Sequence, residues 1–241
     1  MKLMIIRHGD PDYEHDTLTE RGWREARLLA DKIKDLPMDY FYMSSCGRAM
    51  DTAKPTLKAV HKEAVVCDWL REFTYPVELE DGTQKEIAWD MLPEYWTEIP
   101  AYFDHKVWCE TPVMRAAHIR DYYDRTVLEF DKVLALHGYQ RNGKYYRAEK
   151  ANTDTIVFFC HFGLECVLLS HLLNVSPMQL WHGTIALPSA VTTLTTEERE
   201  EGAAYFRMST FGDVSHLTAA GEEPSFAGRF CETYEDKTHR H

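Results

Sequence analysis

Along this chain, short apolar runs alternate with polar turns and with stretches at helical spacing, in the order strand, turn, helix. Leu3-Met4-Ile5-Ile6 predicts a short buried strand that stops at Arg7-His8-Gly9, where glycine permits a turn and a close ligand approach. A polar loop from Asp10 to Asp16 follows. Thr19 then stands as the N-cap of a helix, with Gly22 at its third position. Trp23, Ala26, Leu29, Ala30 and Ile33 continue it, and Pro37 closes it. Met38 to Met43 predicts a second strand. The helix after it runs through Thr52, Ala53, Leu57 and Val60, with Ser44 and Ser45 capping its first turn. Ala64 to Cys67 predicts a third strand, running into Leu70-Arg71-Glu72-Phe73.

From Thr74 to about Ala148 the pattern changes. Pro76, Asp81-Gly82, Pro93, Pro100 and Pro112 interrupt a region rich in Trp and Tyr, which predicts an insertion of short helices over one face. Such an insertion is either a substrate-selecting lid or a satellite core under long loops. A longer helix is expected from roughly Arg115 to Leu136, then a hairpin from Tyr139 to Tyr146 with a type I′ turn at Asn142-Gly143. Thr155 to Cys160 predicts a strand that runs straight into His161-Phe162-Gly163. The apolar helix Leu164 to Leu173 follows, stopped by Asn174 and Pro177. Thr184 to Leu194 and Ala203 to Met208 predict two more strands, joined by an acidic turn from Glu197 to Glu201. Phe211 to Leu217 turns into a final short segment, and residues after about Ala219 read as loosely ordered.

Strands alternating with helices indicate an α/β fold, and 241 residues without linker or repeat indicate one domain, residues 1–241. A net charge of −12 argues against nucleic acid or an anionic membrane as the main partner. Six cysteines (Cys46, Cys67, Cys109, Cys160, Cys166 and Cys231) are scattered without a CxxC pair, as in a reduced, cytoplasmic protein. The first apolar run is too short for a signal peptide, nothing approaches a membrane span, and His239-Arg240-His241 reads as a frayed end.

Ligands of open α/β sheets bind at strand ends. Four such ends carry Arg7-His8, Arg48, Glu72 and His161. Taken singly, each has a plain structural explanation: a turn histidine, a solvated arginine, a loop carboxylate. Their recurrence at one edge is what points to chemistry. Arg48 also falls in the first turn of its helix, where a cation is disfavoured unless an anion shares the site. Two arginines and two histidines suit a dianionic phosphoryl group, a histidine can attack phosphorus, and a carboxylic acid can protonate the departing oxygen. The spacing of Asp and His suggests no metal site, and there is no GxxxxGK[ST] loop, so neither metal nor cofactor is expected.

Arg7-His8-Gly9 after an N-terminal strand resembles the signature of the histidine phosphatase superfamily, the phosphoglycerate-mutase-like proteins. Thr17 to Gly22, Ser44-Ser45 with Arg48-Ala49 and Thr52-Ala53, Leu70-Arg71-Glu72, His161-Phe162-Gly163 and Val214 to Leu217 resemble its other blocks, in the same order. The resemblance implies a three-layer α/β/α sandwich around a mostly parallel sheet, with the 74–148 insertion over the active site. It implies His8 as the nucleophile that becomes phosphohistidine and Glu72 as proton donor, then base. Arg7, Arg48 and His161 would form the phosphate pocket, with Thr17 also binding substrate. Asp10, Glu78 and Glu80 are the alternatives for the acid. The implied activity is hydrolysis of a small phosphate ester. The other readings are a mutase that returns the phosphoryl group to substrate and a phosphate-binding regulatory module without turnover. The oligomeric state is not legible.

Overall fold

The computed structural model describes residues 1–79, 85–227 and 233–236. Glu80, Asp81-Gly82, Cys231 and the His239-Arg240-His241 end lie outside the described residues. The first half contains β1 (Lys2–Arg7), the small hairpin β2 (Pro11–Asp12) and β3 (Thr17–Leu18), and α1 (Glu20–Ile33). These are followed by β4 (Tyr40–Ser44), α2 (Gly47–Val60) and β5 (Val65–Cys67). The inserted region holds β6 (Pro76–Glu78), β7 (Lys85–Ile87), three 3₁₀ turns, α3 (Pro112–Ala116) and α4 (Ile119–Leu136). The remainder is β8 (Tyr139–Asn142), β9 (Tyr145–Ala148), β10 (Thr155–Cys160), α5 (Phe162–Leu173), α6 (Pro177–Gly183), β11 (Val191–Glu200), β12 (Ala203–Asp213) and α7 (Ser215–Ala219).

Eight strands form one sheet in the order β5-β4-β10-β1-β11-β12-β9-β8. The period of two sorts β1 and β10 cleanly between the two faces. Leu3, Ile5, Ile156 and Phe158 pack with Phe130 and Leu134 of α4 and Leu164 and Leu168 of α5. Met4, Ile6, Val157 and Phe159 pack with Leu29 and Ile33 of α1 and Ala53 of α2. These are the three layers.

The sheet is half parallel rather than mostly parallel. β5, β4, β10 and β1 run parallel, whereas β11, β12, β9 and β8 join antiparallel. Short turns permit only antiparallel neighbours. β11 and β12 are joined across Glu201-Gly202, so the acidic stretch from Glu197 is mostly strand. β11 begins at Val191, and residues 184–190, expected as strand, form a loop. The β8–β9 hairpin belongs to the main sheet rather than to the insertion. Its loop is Gly143-Lys144 with positive φ at Gly143 alone, which fits a type II′ turn instead of I′. The helix expected from Arg115 is interrupted at His118, whose φ is +54°.

The inserted region builds its own aromatic core. Phe73, Tyr102, Trp108, Met114 and Tyr123 pack with Phe162, Val167 and Trp181. Among the described residues no helix is long and apolar enough to cross a membrane.

Phe158 lies at the centre of the sheet, with ring centroids 5.4 Å from Tyr42 and 5.6 Å from Phe130. Phe158→Ala is expected to cost about 3–5 kcal/mol in denaturant unfolding; a loss below about 1 kcal/mol would contradict this packing.

Candidate active site

The four parallel strands end side by side. Arg7 pairs with Cys160, and Ser44 with Cys67. The chain therefore turns away from the sheet at His8, Ser45, Asp68 and His161 along one edge. The His8 amide donates to the Cys160 carbonyl at 3.0 Å, which holds the two turns together. The His8 and His161 ring centroids are 5.1 Å apart.

Both imidazoles are buried. The Nδ1 of His8 lies 2.8 Å from the Gly9 carbonyl. A carbonyl only accepts, so Nδ1 carries the proton and Nε2 keeps its lone pair. Burial, then the charges of Arg7 and Arg48, hold His8 well below the ordinary histidine range. Burial acts the same way on His161, reinforced by His8 and by Arg48, Arg7 and Arg71. The Nε2 of His161 lies 2.8 Å from Ser44 Oγ. Its Nδ1 is buried without a hydrogen-bond partner among the described residues, as are the Nε atoms of Arg7 and Arg48.

Both arginines are fixed by contacts within the protein. Arg7 donates to the Ala186 carbonyl at 2.5 Å, with its guanidinium carbon 5.7 Å from the centre of the Phe162 ring. Arg48 pairs with Asp16 at 2.7 Å. The other Asp16 oxygen accepts from the Gly47 amide at 2.7 Å, so Asp16 caps α2. This replaces the serine caps expected from sequence: Ser45 accepts from Arg71 at 3.3 Å, and Ser44 turns to His161. It also supplies the anion that a cation in that first turn requires. Gly47 is obligatory, because a Cβ there would stand 2.0 Å from the Asp16 carbonyl oxygen.

Glu72 reaches the N-terminus of α5. Its carboxylate accepts from the amides of Phe73 (2.8 Å), Leu164 (2.9 Å) and Gly163 (3.3 Å). Burial raises Glu72 above the usual carboxylate range, although these amides and Arg7 pull it down. From the insertion, Trp89 packs against the same spot. A Cβ on Gly163 would stand 2.6 Å from the indole Cδ1 and 2.8 Å from Glu72 Oε1, so only glycine fits.

The edge thus unites Arg7, His8, Arg48, Glu72 and His161. Thr17 is not joined to them: its hydroxyl donates to Asp51 on α2. Of the alternative acids, Glu78 is exposed on β6, and Asp10 is held by Thr19 and Ser225. The Ser225 contact shows that residues 222–225, just after α7, are held rather than loose. Arg21 donates to the Glu223 carbonyl at 2.7 Å, and Arg24 pairs with Glu222 at 3.5 Å.

Two buried carboxyls escaped the sequence reading. Glu25 accepts from the Asp10 amide at 2.8 Å, and burial pushes it up to about 7. Glu165, inside α5, is pushed by burial to about 8 against the pull of Thr192 and Arg7. Each carried a signal: a carboxylate at apolar helical spacing between Gly22 and Ala26, and a lone carboxylate in an apolar helix. Asp16 carried none, since its partner lies 32 residues away.

A model of the histidine phosphatase superfamily (branch 1) matches residues 3–207. A probable phosphatase of Schizosaccharomyces pombe is 25% identical over 236 residues, covering 90% of this chain and 95% of its own. A phosphoserine phosphatase of Entamoeba histolytica, solved with phosphoserine, superposes with a TM-score of 0.56 at 20% identity, covering 90% of this chain and 98% of that one. The same enzyme with 3-phosphoglyceric acid gives 0.57 at 19% identity, covering 90% and 98%. A mycobacterial glucosyl-3-phosphoglycerate phosphatase gives 0.57 at 19%, covering 87% and 98%.

In an NMR titration, His8 and His161 are expected to protonate only below the ordinary midpoint of 6.5. The unfolded chain then takes up these protons first, so acid destabilises the fold as pH drops through that range. Midpoints at or above 6.5 would contradict a desolvated pair.

Proposed function

Because the chain belongs to the histidine phosphatase superfamily (branch 1), we propose that it hydrolyses a small phosphate ester through a phosphohistidine at His8. The observation that carries this reading is the bare Nε2 of a neutral imidazole beside the buried Nε atoms of Arg7 and Arg48, which have no acceptor among the described residues. A phosphoryl group supplies those acceptors. Arg7 and Arg48 neutralise its oxygens, His161 hydrogen-bonds to one of them, and the His8 Nε2 lone pair attacks phosphorus. The bond from phosphorus to the ester oxygen breaks, and the departing alcohol takes the proton of Glu72. The Glu72 carboxylate then accepts a proton from water as its oxygen attacks phosphorus. The N–P bond breaks, releasing phosphate and restoring Nε2. A raised Glu72 serves the first step, because it holds its proton to higher pH than an ordinary carboxylic acid does. Trp89, beside Glu72, lies where the organic group departs and so influences which alcohol fits.

Replacing His8 with Ala should lower turnover of a generic aryl phosphate by roughly 10³-fold or more, as removal of a covalent nucleophile does. Unchanged turnover ends the proposal.

Arg71 supports a substrate that carries a second anionic group. It precedes Glu72, is exposed, and has no carboxylate partner among the described residues. We assign it to that second group. The phosphoserine and 3-phosphoglyceric acid held by the similar structures both carry a carboxylate besides the phosphate. Arg71→Ala is expected to raise KM for phosphoserine about tenfold while leaving an aryl phosphate that lacks a carboxylate nearly unaffected. Equal effects on both esters would remove Arg71 from substrate selection.

A further inference from the structure

We propose that Ser44 is a positioning residue that fixes the tautomer of His161, so that His161 presents Nδ1–H to the phosphoryl group. Ser44 is fully buried at the end of β4. Its Oγ accepts from the Cys46 amide at 3.2 Å and lies 2.8 Å from His161 Nε2. A serine hydroxyl has one proton to donate. Among the described residues no acceptor other than His161 Nε2 is recorded for it. If Nε2 held a proton and donated, the serine proton would be stranded in a dry interior, which is costly. The serine therefore donates to a bare Nε2, and the neutral ring carries its proton on Nδ1.

Among the described residues that buried Nδ1 has no hydrogen-bond partner. A phosphoryl oxygen is an acceptor, so the proton is where the chemistry needs it. The two histidines are thereby set to opposite roles by their neighbours. The Gly9 carbonyl leaves His8 with an open lone pair, and the Ser44 hydroxyl leaves His161 with an open donor. The lowered proton affinity of His161 makes the tautomer matter, because an imidazolium would carry both protons regardless.

The inference rests on the phosphatase reading only for what Nδ1 contacts. The tautomer itself can be read in the resting protein. Long-range ¹⁵N–¹H correlation spectra of histidine-labelled protein at neutral pH should show the His161 proton on Nδ1. Ser44→Ala should shift the population toward Nε2–H and lower kcat/KM for an aryl phosphate about tenfold, while Ser44→Thr, which keeps the hydroxyl, retains Nδ1–H. The gap between Ser44→Ala and wild type should narrow as pH falls, since protonation restores Nδ1–H to both; the ratio cancels the shared loss from His8. A wild-type proton on Nε2 overturns the inference, as does a Ser44→Ala protein with unchanged tautomer and unchanged kcat/KM. The wild-type spectrum decides even if Ser44→Ala fails to fold. An active His8→Ala protein would remove the phosphatase reading while leaving the tautomer result standing.

Discussion

The common finish line of four parallel strands is the constraint from which this site follows. Arg7, Cys160, Ser44 and Cys67 close their strands abreast, and the next residues are the ones that carry chemistry. Both faces of β1 and β10 are covered, so a slip of one residue would exchange Leu3 and Ile5 for Met4 and Ile6 against helices shaped for the opposite set. Packing of the whole core is thus what sets two imidazoles about one ring-width apart. The apolar core sets the strand register, and the Arg7–Ala186, Arg48–Asp16 and His161–Ser44 contacts then aim the side chains.

Burial also decides the charge state. An acidic chain with a net charge of −12 gathers Arg7, Arg48 and Arg71 at one edge. Their field and the loss of water favour uncharged imidazoles. The same desolvation acts with opposite sign on Glu72 and raises its affinity for a proton. One environment therefore prepares a base and an acid together. Asp16 neutralises part of the positive edge and closes the open end of α2 with the same carboxylate.

Strand ends and helix starts were legible because they are local. The apolar run before His8, the Thr19 cap and the apolar run before His161 each declare an element within a few residues. The family resemblance added the order of the blocks and the roles of five side chains. What escaped depends on partners distant in sequence. Ser44 looks like a helix cap until β10 is known to lie beside β4. The half-antiparallel sheet escaped because a hairpin says which strands are neighbours and not which sheet they join: β8 and β9 dock on β12. The Thr184 to Ala190 stretch has strand-like composition, yet it forms the loop whose Ala186 carbonyl holds Arg7.

The tie between Asp10 and Ser225 fastens the loop after His8 to the segment that follows α7. The loop leaving His8 is shaped early in synthesis, but its last clamp arrives more than two hundred residues later, together with the Arg21 and Arg24 contacts. The loop that follows His8 therefore has its full set of contacts only when residues 222–225 have folded back onto it.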